Sequence, residues 1–395
     1  MRPRVNADSE STLRHPVALA LGGLVALAAA IGVGRFVYTP ILPVMVEGLG
    51  LTKTIAGAIA SANFAGYLLG AIVAASASAA QARRRWLLAG LLASALASGA
   101  MGWFDRTEAF FLLRFVGGFA SAFVLVFASS LVMERLAAAG RPELAAIHFA
   151  GVGTGISISA LLVSGLLAAG GDWRVLWWAS GVLGLLALAA VAVLVPPRRE
   201  REAAAGSGQS PGQSPALRNL VIAYGLFGFG YVITATFLVA IVRASDTLKP
   251  LEPLIWLVVG LAAAGSIAVW NHIAQRVGNA QAFAWACVLE ALGVGASVFW
   301  QTPPGILMCA VLLGGTFVSV TAIGLVEARR LAPNQAARSV AVMTVAFGFG
   351  QILGPSFAGF LYDQSGSFLW PSLGAVVALL AAAVLVLVPA SMRPA

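Results

Sequence analysis

The sequence predicts an all-α membrane protein, with twelve transmembrane helices in two pseudo-symmetric six-helix bundles. Three observations carry that prediction. The 395 residues are 60% hydrophobic and only 10% charged. The apolar residues fall into twelve long runs with mostly short polar connections. One long polar segment divides those runs six and six.

Composition excludes a soluble fold. A soluble domain carries about 25% charged residues, and this chain has too little polar surface to clothe a globule of its size. In lipid every backbone N–H and C=O must be satisfied internally, so only helices or closed barrels can span. A barrel would show alternating segments of about ten residues. The chain instead has continuous apolar runs such as 175–195 and 372–388, and about 20 apolar residues cross a bilayer as a helix.

The spans are expected near 17–45, 53–79, 86–104, 109–133, 143–169, 173–196, 218–242, 252–276, 280–300, 304–326, 336–362 and 367–389. The N-terminus, with Arg2, Arg4 and Arg14 before an alanine-rich run, has the outline of a signal peptide. The apolar stretch continues to about Met45, too long for a cleaved h-region, so it is expected to be an uncleaved first span. Residues 197–216 are rich in Arg, Glu, Gly, Ser, Gln and Pro and read as a flexible linker. The chain thus divides into a first half at 1–196, a linker at 197–216 and a second half at 217–395.

Basic residues orient the chain. With both termini cytoplasmic, the outer loops hold only Lys53, Arg106, Arg174, Arg243 and Lys249. Arg35 and Arg114 lie inside spans, and the other seventeen of the 24 Lys and Arg fall on the cytoplasmic side. The formal charge of +9 therefore does not signal nucleic-acid binding, since the arginines sit in scattered loops. Cys287 and Cys309 lie inside spans and read as small packing residues, with no metal or disulfide spacing.

Several side chains inside the spans are candidates for function. Arg35 lies eight residues before Pro43 in the first span, roughly 12 Å from its outer end at 1.5 Å per residue. A charge at that depth costs about 2.5–3.5 kcal/mol on insertion scales and faces a cavity or a partner. Its bland alternative is to cap backbone carbonyls freed by Pro40 and Pro43, or to snorkel outward. Arg114, in the fourth span, is nearer the outer surface, where snorkelling is easier. Asn63, Tyr67, Tyr231, Thr234, Thr316 and Gln351 are polar groups within spans 2, 7, 10 and 11. Each could line a cavity or bond one helix to another. Glu290, mid-way along span 9, is the deepest carboxylate. It reads either as a neutral acid bonded to a neighbouring helix or as a proton-coupling group.

The glycine runs 151–155 and 348–354 lack the βαβ setting of nucleotide loops, so they are expected to let helices approach closely. His15, His148 and His272 form no catalytic arrangement, and His148 and His272 are expected at the interface.

The two halves repeat each other: Gly32-Val-Gly-Arg-Phe-Val-Tyr-Thr-Pro-Ile-Leu42 matches Gly228-Phe-Gly-Tyr-Val-Ile-Thr-Ala-Thr-Phe-Leu238 at an offset of 196 residues. Parallel repeats of this kind, the stretch Ala60–Gly70, Gly314-Gly-Thr-Phe317 and Phe347–Pro355 together resemble the YbfB/YjiJ group of major facilitator transporters. The resemblance implies the major facilitator fold and a transporter of the bacterial inner membrane. The residues themselves lead to the expectation of no cofactor, no metal and no enzymatic activity, and a monomer is expected. The implied partners are a small-molecule substrate and the lipid bilayer. It further implies that the halves rock about a central site between spans 1, 4, 7 and 10, which places Arg35, Tyr38, Arg114, Tyr231 and Thr234 there. Arg114 resembles an arginine found on span 4 across the superfamily. Span 9 is a supporting helix in that architecture, which disfavours Glu290 as the main coupling group. One departure is the loop before span 3, Ala80-Gln-Ala-Arg-Arg-Arg-Trp86, which keeps the basic cluster of the superfamily motif but lacks its Gly and Asp. The function expected is secondary active transport of a small solute, with an organic anion and proton coupling as its finer form. The alternatives are a membrane receptor or scaffold, which would add a soluble domain, and an intramembrane enzyme, which would show a catalytic constellation.

Overall fold

The computed structural model describes residues 16–75, 82–197 and 214–388. These form twelve helices long and apolar enough to cross a membrane. In the first half they are α1 (Pro16–Leu49), α2 (Lys53–Ala74), α3 (Arg83–Trp103), α4 (Thr107–Ala138), α5 (Pro142–Ala168) and α6 (Trp173–Leu194). The second half has α7 (Pro215–Arg243), α8 (Lys249–Val277), α9 (Asn279–Phe299), α10 (Pro303–Leu331), α11 (Pro333–Ser365) and α12 (Leu369–Leu387). No strand occurs among the described residues. The odd-numbered helices start from the end of the bundle where the chain begins and finishes, here the terminal end. The opposite end is the far end.

Helix boundaries follow local chemistry. Thr52, Asp172 and Ser214 cap α2, α6 and α7 by accepting the N–H of Ile55, Val175 and Leu217. Pro occupies the first turn of α7, α8 and α10, where its missing N–H costs nothing. The Ser214 cap ends the linker earlier than its composition suggests, because α7 already begins at Pro215. Residues 198–213 of that linker lie outside the described residues.

Lipid tails are as apolar as Leu, so helices in a membrane associate through close contact and polar bonds rather than hydrophobic exclusion. The glycines supply that contact. A Cβ at Gly66 would meet the Phe115 carbonyl at 2.0 Å, and one at Gly118 would meet the Asn63 carbonyl at 1.9 Å, so α2 and α4 lie backbone to backbone. Both glycine runs noted in the sequence act in this way: Gly155 abuts Ala28 of α1, and Gly350 abuts Gly225 of α7.

The first span is not one regular helix. It runs as an α-helix over Pro16–Leu27, a π-helical turn over Ala28–Val33, a non-helical turn, and a second α-helix over Tyr38–Leu49. Pro40 is the physical reason, because it has no N–H to return to the carbonyl four residues back. Upstream the ladder widens, with Gly34 N–H reaching the Ala29 carbonyl and Phe36 N–H reaching that of Ile31, while Thr39 N–H turns to Phe36. Thr39 N–H so turns away from the Arg35 carbonyl, and neither that carbonyl nor that of Gly34 receives a backbone N–H.

His148 is also placed differently from the interfacial position expected. It is fully buried, and its Nε2 lies 3.0 Å from Ser129 Oγ, joining α5 to α4.

The halves meet along α1 with α7, α2 with α11, and α5 with α8. Thr39 Oγ1 donates to the Ala235 carbonyl at 2.7 Å, and Arg243 pairs with Glu47 at 2.8 Å. Both pairs are separated by 196 residues, the offset of the internal repeat. Residues that contact their own repeat mates lie beside a pseudo-twofold axis, which therefore runs between α1 and α7.

Candidate substrate site

The broken middle of α1 organises the centre. Arg114, on α4, donates from Nη1 to the freed Gly34 carbonyl and from Nη2 to the Arg35 carbonyl, each at 2.9 Å. Its guanidinium also faces the rings of Tyr38 and Trp177, 5.0 and 5.7 Å away. Asn63 Nδ2 donates to the Arg114 carbonyl at 2.8 Å. Capping of the freed carbonyls, weighed for Arg35 from the sequence, is thus performed by Arg114. Tyr38 donates its hydroxyl to the Ala56 carbonyl at 2.8 Å, inside the first half.

Arg35 is left differently. It is 6% exposed, and its guanidinium carbon lies 4.3 Å from the Tyr67 ring centre and 4.6 Å from that of Phe64, with Phe36 at 5.5 Å. Cation–π contacts of this kind contribute about 0.5–2 kcal/mol each. Its Nε and Nη2 have no hydrogen-bond partner. These two N–H groups form one edge of the planar guanidinium, parallel donors that match the two oxygens of a carboxylate.

The second half faces Arg35 with aromatic rings. Tyr231 of α7 stacks on Phe317 of α10 at 5.7 Å and 9°, and on Phe347 of α11 at 5.8 Å and 4°. Phe36, next to Arg35, meets Phe317 edge-on at 5.8 Å, so the aromatic layer crosses between the halves. Gln351 Nε2 donates to the Tyr231 hydroxyl, and Gln351 Oε1 has no partner. Thr234 is fully buried with an unpartnered hydroxyl. Thr316 turns toward α9, where its Oγ1 lies 3.0 Å from Glu290 Oε2.

Of the residues singled out by sequence, Arg35 and Tyr67 come together, as do Tyr231 and Gln351. Tyr38, Asn63 and Arg114 form a separate group that fastens α1, α2 and α4, and Thr316 joins Glu290. Phe36, Phe64, Phe317 and Phe347 were not among them. Their signal was helical spacing, since Phe64 and Tyr67 are three apart and so share a helix face. No group of His, Cys, Asp and Glu that could hold a metal occurs among the described residues. A cavity of about 200 Å³ lies apart from this centre, at the terminal end of the second half, lined in part by Asn219, Glu327 and Arg330.

A membrane protein of two six-helix, pseudo-symmetric halves has the architecture of a major facilitator transporter. Residues 27–387 match the family described as uncharacterised MFS-type transporter YbfB, and the chain belongs to that family. A solved structure of a mutant of the nucleoside transporter NupG superposes with a TM-score of 0.74 at 16% identity, covering 93% of this chain and 99% of that one. A second NupG structure gives 0.68 at 17% identity, covering 95% and 99%. These likenesses carry the fold. A comparison with curated proteins finds no match.

Proposed function

We propose that this chain is a secondary active transporter that carries a small organic anion across the bacterial inner membrane by alternating access, with Arg35 as the anchor. The observation that carries this reading is the Arg35 edge: two parallel N–H donors, buried, without a partner, beside the axis between the halves. A buried charge left unpaired is costly, and a bound carboxylate would relieve it. The aromatic rings of Tyr67, Tyr231 and Phe317 suit a planar or apolar body behind that carboxylate. The bias of Lys and Arg supports cytoplasmic termini, which makes the terminal end cytoplasmic.

NupG is named for nucleosides, and a neutral nucleoside is the natural rival ligand. It would leave the Arg35 charge without a counter-ion, so the anion is the better fit. A thermal-shift screen of the purified protein with aliphatic carboxylates, aromatic carboxylates and nucleosides separates the two. The hits are then measured against Arg35→Lys and Arg35→Gln. Charge-assisted hydrogen bonds contribute about 1.5–3 kcal/mol, so Arg35→Gln should weaken carboxylate binding by roughly 10- to 100-fold. Arg35→Lys, which keeps the charge and loses the paired geometry, should fall between. Carboxylate affinity unchanged in both variants overturns the reading. Flux of the same carboxylate into liposomes distinguishes a transporter from a receptor or scaffold.

A further inference from the structure

Arg35 and Tyr231 occupy equivalent positions in the two halves, at the repeat offset of 196 residues. One turn further on, the equivalent residues Thr39 and Ala235 touch across the pseudo-twofold axis. Tyr231 therefore stands opposite Arg35, and its hydroxyl lies within electrostatic reach of that charge. Its partner Gln351 is set at the same height by the packing of α11 on α2. Gly348 faces the Leu68 side chain, and the Ile352 carbonyl accepts from Ser61. Gln351 thus falls at the level of Phe64 and Tyr67, the rings on which the Arg35 guanidinium rests.

Tyr231 and Gln351 are buried with hydrogen-bonding capacity that the protein leaves unused. Gln351 Nε2 donates to the Tyr231 hydroxyl, which makes no other hydrogen bond among the described residues, so the Tyr231 proton has no acceptor. Gln351 Oε1 has no partner either. The pair presents one free donor and one free acceptor side by side. Turning the amide over exchanges the roles and keeps the sum: Tyr231 then donates to Oε1, which leaves Nε2 as the donor and the Tyr231 oxygen as the acceptor. Thr234, three residues along α7 and so on the same face, adds a buried hydroxyl without a partner. This side of the seam is uncharged. No Asp, Glu, Lys or Arg occurs at 219–242 of α7 or at 339–362 of α11. Glu290, which reaches Tyr231 electrostatically, is bonded to Thr316 instead. A neutral donor and acceptor together match a hydroxyl, which gives one hydrogen bond and takes another. They do not match an ammonium, which accepts nothing and would place a second positive charge opposite Arg35.

We propose that the anion is a hydroxycarboxylate: Arg35 takes the carboxylate, and the Tyr231–Gln351 pair takes a hydroxyl on the same molecule. The proposal rests on the reading of Arg35 given above and adds the share of the second half in recognition. The ligand is then bonded to both halves, whereas a plain carboxylate is bonded to the first alone. A carboxylate without the hydroxyl would leave two buried polar groups unpaired, and sites built to bond a hydroxyl reject analogues that lack it for this reason.

The test uses the full-length protein and sets of carboxylates that differ by one hydroxyl. Phenylacetate is compared with mandelate and para-hydroxyphenylacetate, propionate with lactate, and benzoate with para-hydroxybenzoate, by ligand-dependent thermal shift. Where the hydroxyl reaches the pair, the hydroxylated member should bind roughly 10- to 100-fold more tightly than its parent. Tyr231→Phe, which keeps the ring, and Gln351→Leu, or Gln351→Met should the first not fold, should bring that ratio close to unity and leave the affinity of the parent little changed. Arg35→Gln should weaken both members and keep the ratio. No hydroxyl preference in any set, or a preference that survives both Tyr231→Phe and loss of Gln351, overturns the proposal and leaves the Arg35 reading standing. Equal weakening of parent and hydroxylated member in those variants marks a structural role and overturns it too. Affinities unmoved by Arg35→Gln overturn the Arg35 reading, and a protein that responds to none of the probes overturns both.

Discussion

The two ends of the bundle are fastened in different ways. At the far end the bonds cross between halves. Asp363 of α11 accepts the N–H groups of Lys53 and Thr54, capping the N-terminus of α2 at 3.1 and 2.8 Å. Ser61 donates to the Ile352 carbonyl, Ser164 donates to that of Pro253, and Arg243 bridges Glu47 and Glu252. At the terminal end several bonds among the described residues lie within a half. Arg83 pairs with Glu134, Arg84 donates to the carbonyls of Ala192 and Val195, and Arg330 pairs with Glu327. The basic cluster before α3, which lacks the Gly and Asp of the superfamily motif, thus pins α3 to α4 and α6. Among the described residues, bonds between the halves are present at the far end, and these are the ones that would have to break for the halves to part there.

Substitutions at the two kinds of contact should therefore part company, and a helix that makes both allows the sharpest comparison. On α2, a Cβ at Gly57 would lie 2.1 Å from the Pro355 carbonyl of the other half, whereas one at Gly66 would lie 2.0 Å from the Phe115 carbonyl of the same half. Gly66→Leu should abolish folded protein, since overpacking inside a half has no alternative conformation to relax into. Gly57→Leu should leave folded protein that is shifted toward the far-open conformation, read as increased cysteine labelling at far-end positions. Equal loss of folded protein in both would break the comparison.

A smaller effect is expected at the helix cap. Asp363→Ala removes both acceptors from the start of α2, and cap removal costs about 0.5–2 kcal/mol. That cost falls on the far-closed conformation, so the far-open population should rise by a factor of roughly 2 to 30, measured by distance labels on α2 and α11. An unchanged distribution would show that the cap does not hold the halves together.

The smallest effect belongs to the exposed ion pair. Glu47 is about 60% exposed at its side chain, and such pairs contribute about 0–1 kcal/mol. Glu47→Gln should shift the same distance distribution slightly toward far-open, more at low salt than at high. Arg330→Ala, which breaks a pair inside the second half, should leave it unmoved. A larger shift from Arg330→Ala than from Glu47→Gln would reverse the assignment of the two ends.

The twelve spans, the division into halves and the repeat offset of 196 residues were all readable before any coordinate was known. The reason is that each depends on local composition: a bilayer of fixed thickness turns length and hydropathy directly into helices. The positions of Arg35, Arg114 and Glu290 along their spans were readable for the same reason, since rise per residue converts sequence separation into distance along a helix. Direction around the helix axis was not. Arg35 and Arg114 looked alike in sequence, two buried arginines at similar depth. Only packing decided that Arg114 would bond the Gly34 and Arg35 carbonyls through Nη1 and Nη2, leaving its Nε unpartnered, while Arg35 keeps both Nε and Nη2 without a partner. The meeting of Thr316 with Glu290 and of Asp363 with α2 was likewise decided in three dimensions. Hydrogen bonds reach about 3 Å, and partners 26 or 310 residues apart are brought within that reach only by the close approach of whole helices.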